Sequence, residues 1–171
     1  MAELLIRFPT ADRFAMFQDD IVTVKNLKAY LDASQYPTNG YWNLFTMPRN
    51  QTLAEKVGQT GRFKNGFYLS NQKGLGALGL VFDRETLIEL LHHQHTLRRF
   101  LDVEKGWQSI DGGIVTALRK AGWKEWVHTP SLVQHKGTVS SMKPGSKHPD
   151  AETFPGEDFD ALSLLASTAT A

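Results

Sequence analysis

Cysteine is absent from the 171 residues, which excludes a disulfide scaffold, a thiolate metal site and a cysteine nucleophile. An excess of one charge is missing too: 19 basic residues stand against 18 acidic ones, a formal net charge of +1. A chain so balanced offers no field for a polyanion, so bulk nucleic-acid binding is not expected. No stretch approaches the roughly 20 apolar residues that a membrane span requires. The segment Met1 to Pro9 carries Glu3 and Arg7 inside a short apolar run, unlike the basic start and long apolar centre of a secretory signal. These absences give the expectation of a cytoplasmic protein without a membrane span. There is no internal repeat. What is present is a globular composition, 41% hydrophobic and 11% aromatic, at a length that suits one domain with a proper core.

The most informative stretch is Phe14-Ala15-Met16-Phe17-Gln18-Asp19-Asp20-Ile21-Val22. Its apolar run reads as a strand, Arg13 to Val22, interrupted by two adjacent carboxylates. In open α/β sheets ligands gather at the carboxyl ends of strands. Two neighbouring acids repel unless something positive neutralises them, and Mg²⁺ uses one or two carboxylates together with substrate phosphates. Asp19 and Asp20 are therefore candidate metal ligands; a strand ending in a polar turn is the plainer alternative.

Further along, Lys25 to Ala33 reads as a short helix with Leu27, Tyr30 and Leu31 on one face, and Tyr41 to Met47 as a strand. Pro48 to Gly66 is polar and glycine-bearing and reads as a long connection before a short aromatic strand, Gly66 to Ser70. Gly74, Gly76 and Gly79 spell the dinucleotide-binding glycine pattern. However, polar Ser70 to Lys73 precede them and a strand-like Leu78 to Phe82 follows, which inverts the required context. These glycines instead suit close backbone approach. Asp83 is a plausible N-cap for a helix from Arg84 to about Asp102, which carries His92, His93 and His95. His92 and His95 are spaced to share a metal, but without a clear third ligand a solvated face is the simpler reading. Asp111 opens the next helix, either as a first-turn acid or as a general base, and Gly122 ends that helix. After a strand at Trp123 to Val127, the loop Thr129 to Ser141 gathers His135, Lys136, Gly137 and several hydroxyls, a set suited to phosphate and metal. Beyond Met142 the chain turns linker-like, with a docked patch expected around Phe154 to Phe159.

Taken together, three stretches resemble the metal-dependent nucleotide-sugar glycosyltransferases of the GT-A type. Phe14 to Leu31 looks like their acid-bearing strand end followed by a helix. Gly74 to Leu91 looks like a glycine-rich acceptor-side loop, strand and helix. Ile110 to Ser141 ends in Pro-Ser-Leu-Val-Gln-His-x-Gly-x-x-Ser-Ser and looks like their closing segment. The resemblance implies an α/β fold: a GT-A-like mixed sheet flanked by helices over residues 1–142, with 143–171 as a linker-like tail. Only residues 1–12 precede the acid-bearing strand, so most of the family's nucleotide-binding half is expected to be missing, and Gln18 stands where an acid is usual. A sheet edge exposed in this way would favour self-association.

The resemblance further implies transfer of a sugar from a metal-bound nucleotide-sugar to a glycan or other hydroxyl acceptor, with Mn²⁺ or Mg²⁺ as cofactor. By position, Asp20 matches the direct metal ligand, Asp19 a ribose or metal contact, His135 a further metal ligand, and Asp111 the general base. Lys136 and Ser140 fall in the donor-binding segment. Trp42, Tyr68 and Trp107 are candidate stacking platforms. The alternatives are a non-catalytic remnant that binds a glycan or a protein, and a metal-dependent hydrolase built on Asp19, Asp20, His92 and His95.

Overall fold

Period-two alternation explains the central strands. In Gly79–Asp83, Leu80 and Phe82 bury in one apolar cluster while Val81, between them, buries in another. Tyr41 and Trp42 divide between the same two clusters. A strand apolar on both faces must be covered on both sides, so it belongs at the centre of a sheet with layers above and below.

The computed structural model describes residues 1–56, 66–101, 110–136 and 150–166. Its strands are β1 (Arg13–Phe17), β2 (Ile21–Thr23), β3 (Gly40–Asn43), β4 (Phe67–Leu69), β5 (Gly79–Asp83), β6 (Lys124–His128) and β7 (Val133–His135). Its helices are α1 (Ala2–Arg7), α2 (Leu27–Ala33), α3 (Pro48–Lys56), α4 (Arg84–His92), α5 (Gln94–Leu101), α6 (Ile110–Lys120) and α7 (Ser163–Ala166). Five strands form a mixed sheet in the order β1-β5-β3-β6-β4, in which only β3 and β6 run parallel. β2 and β7 form a separate antiparallel pair. The fold is thus mixed α/β, as expected from the sequence.

One face of the sheet packs on α2 through Leu27, Tyr30 and Leu31, together with Trp42, Phe45, Phe67 and Val133. The other packs on α4 and α6 through Leu87, Leu90, Val115 and Leu118. Each such side chain contributes about 1.5–3 kcal/mol by leaving water. Arg13 ties β1 to α2: its guanidinium donates to the carbonyls of Leu31 and Ser34 at the helix C-terminus. It also lies 5.2 Å from the Trp42 ring centre. A cation there complements the exposed carbonyls of the helix end. Asp83 caps α4, its carboxylate accepting from the Thr86 N–H at 2.7 Å.

Several boundaries differ from the sequence reading. The strand expected over Arg13 to Val22 is two strands, because Asp19 and Asp20 form a turn that starts a new pairing. Pro48 begins helix α3 where a connection was expected. Proline suits the first helical position, and the following Leu53, Ala54, Glu55 and Lys56 are good helix formers. The helix expected over Arg84 to Asp102 breaks at His93, whose backbone is extended. There the His93 ring accepts from the His95 N–H, a local bond that competes with the helix. The loop read over Thr129 to Ser141 contains β7. The expected docked patch is wider, with Ala151 and Ala161 buried and Phe154, Phe159, Leu164 and Leu165 packed on the core. No helix among the described residues is long and apolar enough to cross a membrane.

Candidate functional site

A pairing across the length of the chain builds the site. Ile21 of β2 lies opposite His135 of β7, and the Lys136 N–H donates to the Asp20 carbonyl at 2.7 Å. The Asp19-Asp20 turn and the His135-Lys136 segment are therefore neighbours. Asp19 and Lys136 are exposed, while Asp20 and His135 are half-buried. Of the six residues singled out from the sequence, the fold thus brings together Asp19, Asp20, His135 and Lys136.

The glycine segment lies alongside. Leu78 accepts at its carbonyl from the Gln18 N–H at 3.0 Å, so the segment runs beside the carboxylate turn. Gly76 has φ +77, and a Cβ there would lie 2.6 Å from Phe45 Cδ1. The Phe45 ring in turn stands edge-on to His135 with centres 5.8 Å apart. Glycine at this position thus allows a left-handed backbone and the close approach of a ring that adjoins the site. The segment leads into β5 and not into a helix, which accords with rejecting a dinucleotide fingerprint.

Hydrogen-bonded to this segment is a polar group that the sequence reading passed over. Glu125 on β6 is 1% exposed. Its Oε1 accepts from Asn43 Nδ2 at 3.0 Å and its Oε2 from Ser70 Oγ at 2.6 Å. Asn43 Nδ2 also donates to the Gly76 carbonyl at 2.6 Å, and Asn43 Oδ1 accepts from the Phe45 N–H at 3.0 Å. Gln72 closes the network, donating to the Glu125 carbonyl and accepting from its N–H at 2.9 Å. The available signal was a carboxylate between two tryptophans in an otherwise strand-like run, Trp123 to Val127.

Other candidates fall elsewhere. Asp111 is in the first turn of α6, and Lys120 is the last residue of that helix. Lys120 lines a cavity of about 450 Å³ with Glu89, His92, His93, Gln94 and His95. At 1.5 Å rise per residue Lys120 is roughly 14 Å along α6 from Asp111. Neither Asp19 nor Asp20 lines the cavity. Trp42 and Tyr68 are buried, Trp42 stacking on Phe67 at 4.8 Å, so neither is a surface platform. Ser140 and Trp107, and the side chain of Asp111, lie outside the described residues.

Among the described residues no group of three or more His, Asp or Glu is gathered to hold a metal. Neither the hydrolase cluster of Asp19, Asp20, His92 and His95 nor the expected three-ligand set of Asp19, Asp20 and His135 is therefore assembled. Two adjacent carboxylates at an open turn still match a hard cation that takes its remaining ligands from phosphate and water. No protein-family model matches the chain, and no curated protein matches it.

Proposed function

We propose that this chain is a glycosyltransferase of the GT-A type that moves a sugar from a metal-bound nucleotide-sugar to a hydroxyl acceptor. The observation that carries the reading is the β2–β7 pairing, which sets the Asp19-Asp20 turn against His135 and Lys136. Acids, an imidazole and an ammonium carried on neighbouring backbone segments are residue types that a diphosphate and its counter-ion require.

In this reading Asp20 and Asp19 would hold Mn²⁺ or Mg²⁺, with diphosphate oxygens and water completing its shell, and Lys136 and Ser140 would bind the diphosphate; His135 adjoins the turn without forming a three-ligand group with the two acids. When bound, the ion neutralises charge on the leaving diphosphate. By position in the family pattern Asp111 would take the proton of the acceptor hydroxyl, a role that needs a carboxylate within hydrogen-bond reach; it lies on α6, outside the group gathered at the Asp19-Asp20 turn. Residues 1–142 are the catalytic portion. The glycine segment matches the acceptor side of the family by position; beside Gly76 the space is taken by the Phe45 ring.

Calorimetric titration of UDP and of GDP, with Mn²⁺ and with chelator, tests the assignment. Metal-dependent binding that Asp20→Ala abolishes is the expected result, and binding unchanged by that substitution would overturn it. A second reading, a non-catalytic module that binds a glycan or a protein, is favoured by the lack of a three-ligand group among the described residues. It predicts glycan binding indifferent to chelator.

A further inference from the structure

Glu125 takes no part in the chemistry proposed above, yet its position is costly. A carboxylate removed from water is tolerated only when its oxygens are well hydrogen-bonded. Both are: one accepts from Asn43, the other from Ser70. Core packing alone gives no reason for an acid here, since the strand residue paired with it is the buried Tyr41, whose hydroxyl finds no partner among the described residues. A carboxylate differs from the neutral alternatives in accepting on both sides at once.

What those two bonds hold is the glycine segment and Phe45. Through Asn43 the carboxylate reaches two points: the Gly76 carbonyl, on the glycine segment, and the Phe45 N–H. Through Ser70 it reaches the start of that segment, because Ser70 Oγ also accepts from the Gln72 N–H at 2.9 Å. Gly76 and the Phe45 ring are pressed together, and the ring abuts His135. A continuous path of hydrogen bonds and ring contacts therefore joins Glu125 to His135, which lies across from Ile21 and one residue from the partner of Asp20.

We propose that Glu125 is a positioning residue: acting through Asn43, its buried carboxylate fixes the glycine segment and Phe45, and through the Phe45 ring it sets the orientation of His135. The placement of the residues is independent of the glycosyltransferase assignment; the consequence for donor binding rests on it.

Glu125→Gln tests this, since glutamine keeps the shape but turns one acceptor into a donor. The variant is compared with the wild type by NMR of the His135 ring nitrogens and by titration of UDP with Mn²⁺. Leu87→Ala, a buried change in the other cluster, serves as the control for destabilisation alone. The expected result is that Glu125→Gln shifts the His135 ring signals and weakens UDP–Mn²⁺ binding by about tenfold or more, the scale seen when the support of a metal ligand is removed. Leu87→Ala should lower stability and leave those signals in place. His135 signals unchanged in a folded Glu125→Gln protein would overturn the inference, whatever its melting temperature. Asn43→Ala cuts the same link and leaves the carboxylate in place, so it decides the matter if Glu125→Gln fails to fold. If the wild type binds no UDP–Mn²⁺, the assignment of function fails, and the His135 signals still decide the role of Glu125.

Discussion

Replacing Gly76 by alanine separates two physical costs at one position. The first is backbone strain: φ is +77, a left-handed conformation that costs a residue with a Cβ roughly 1–2 kcal/mol. The second is overlap, since the new Cβ would lie 2.6 Å from Phe45 Cδ1 and 3.0 Å from its Cε1. Phe45 is fully buried, so its ring has little space to retreat into. Forcing extra volume into a packed core typically costs about 1–3 kcal/mol. Alanine also stiffens the unfolded chain, which returns about 0.4–1 kcal/mol.

Gly122→Ala is the matched reference. Gly122 has φ +92, and a Cβ there would meet nothing within 4 Å. It carries the strain and the unfolded-state gain without the overlap. Gly122→Ala should then cost about 1 kcal/mol and Gly76→Ala about 2–4 kcal/mol. In a chain of this size that is a fall in melting temperature of roughly 2–4 °C against 5–15 °C. Urea denaturation of both variants at matched pH gives the comparison. Equal losses would refute the close packing of Phe45 against the glycine segment, and with it the contact path to His135.

Two further outcomes are expected. Tyr41 is buried and its hydroxyl has no partner among the described residues, so Tyr41→Phe should be neutral or raise stability by about 1 kcal/mol, while a loss of that size in urea unfolding would show a missed bond. Burial pushes the Tyr30 hydroxyl up to about 12, and those of Tyr36 and Tyr41 also lie above their ordinary value of 10.0. A pKa raised on folding means that the unfolded chain releases its protons first as pH rises. The stability these groups contribute is thus whole below pH 10 and declines from there through about pH 12. A urea midpoint constant across that range would contradict the burial of these hydroxyls.

Local pattern was enough for some elements and not for others. Leu27, Tyr30 and Leu31 share a face because helical geometry puts them there, and all three are buried in α2. Asp83 capped α4 as its residue type predicts, because a cap is a bond across three residues. Pro48 to Lys56 was misread because its polar composition outweighed a good helix start, the rest of that expected connection, 57–65, lying outside the described residues, and the helix broke at His93 through a bond to its own ring that no periodicity reveals.

The sequence by itself determined a cysteine-free, charge-balanced α/β chain with two adjacent acids at the end of an apolar run, since composition and short-range spacing carry that information. It also singled out His135 and Lys136 by residue type. Only the tertiary structure decided that they meet Asp19 and Asp20, because strand partners are chosen by which buried faces fit across the whole chain. The role of Glu125 was hidden for the same reason. In the chain it is one acid between two tryptophans, and its burial is visible only once β3 and β4 flank β6 and bring Asn43 and Ser70 to its two oxygens.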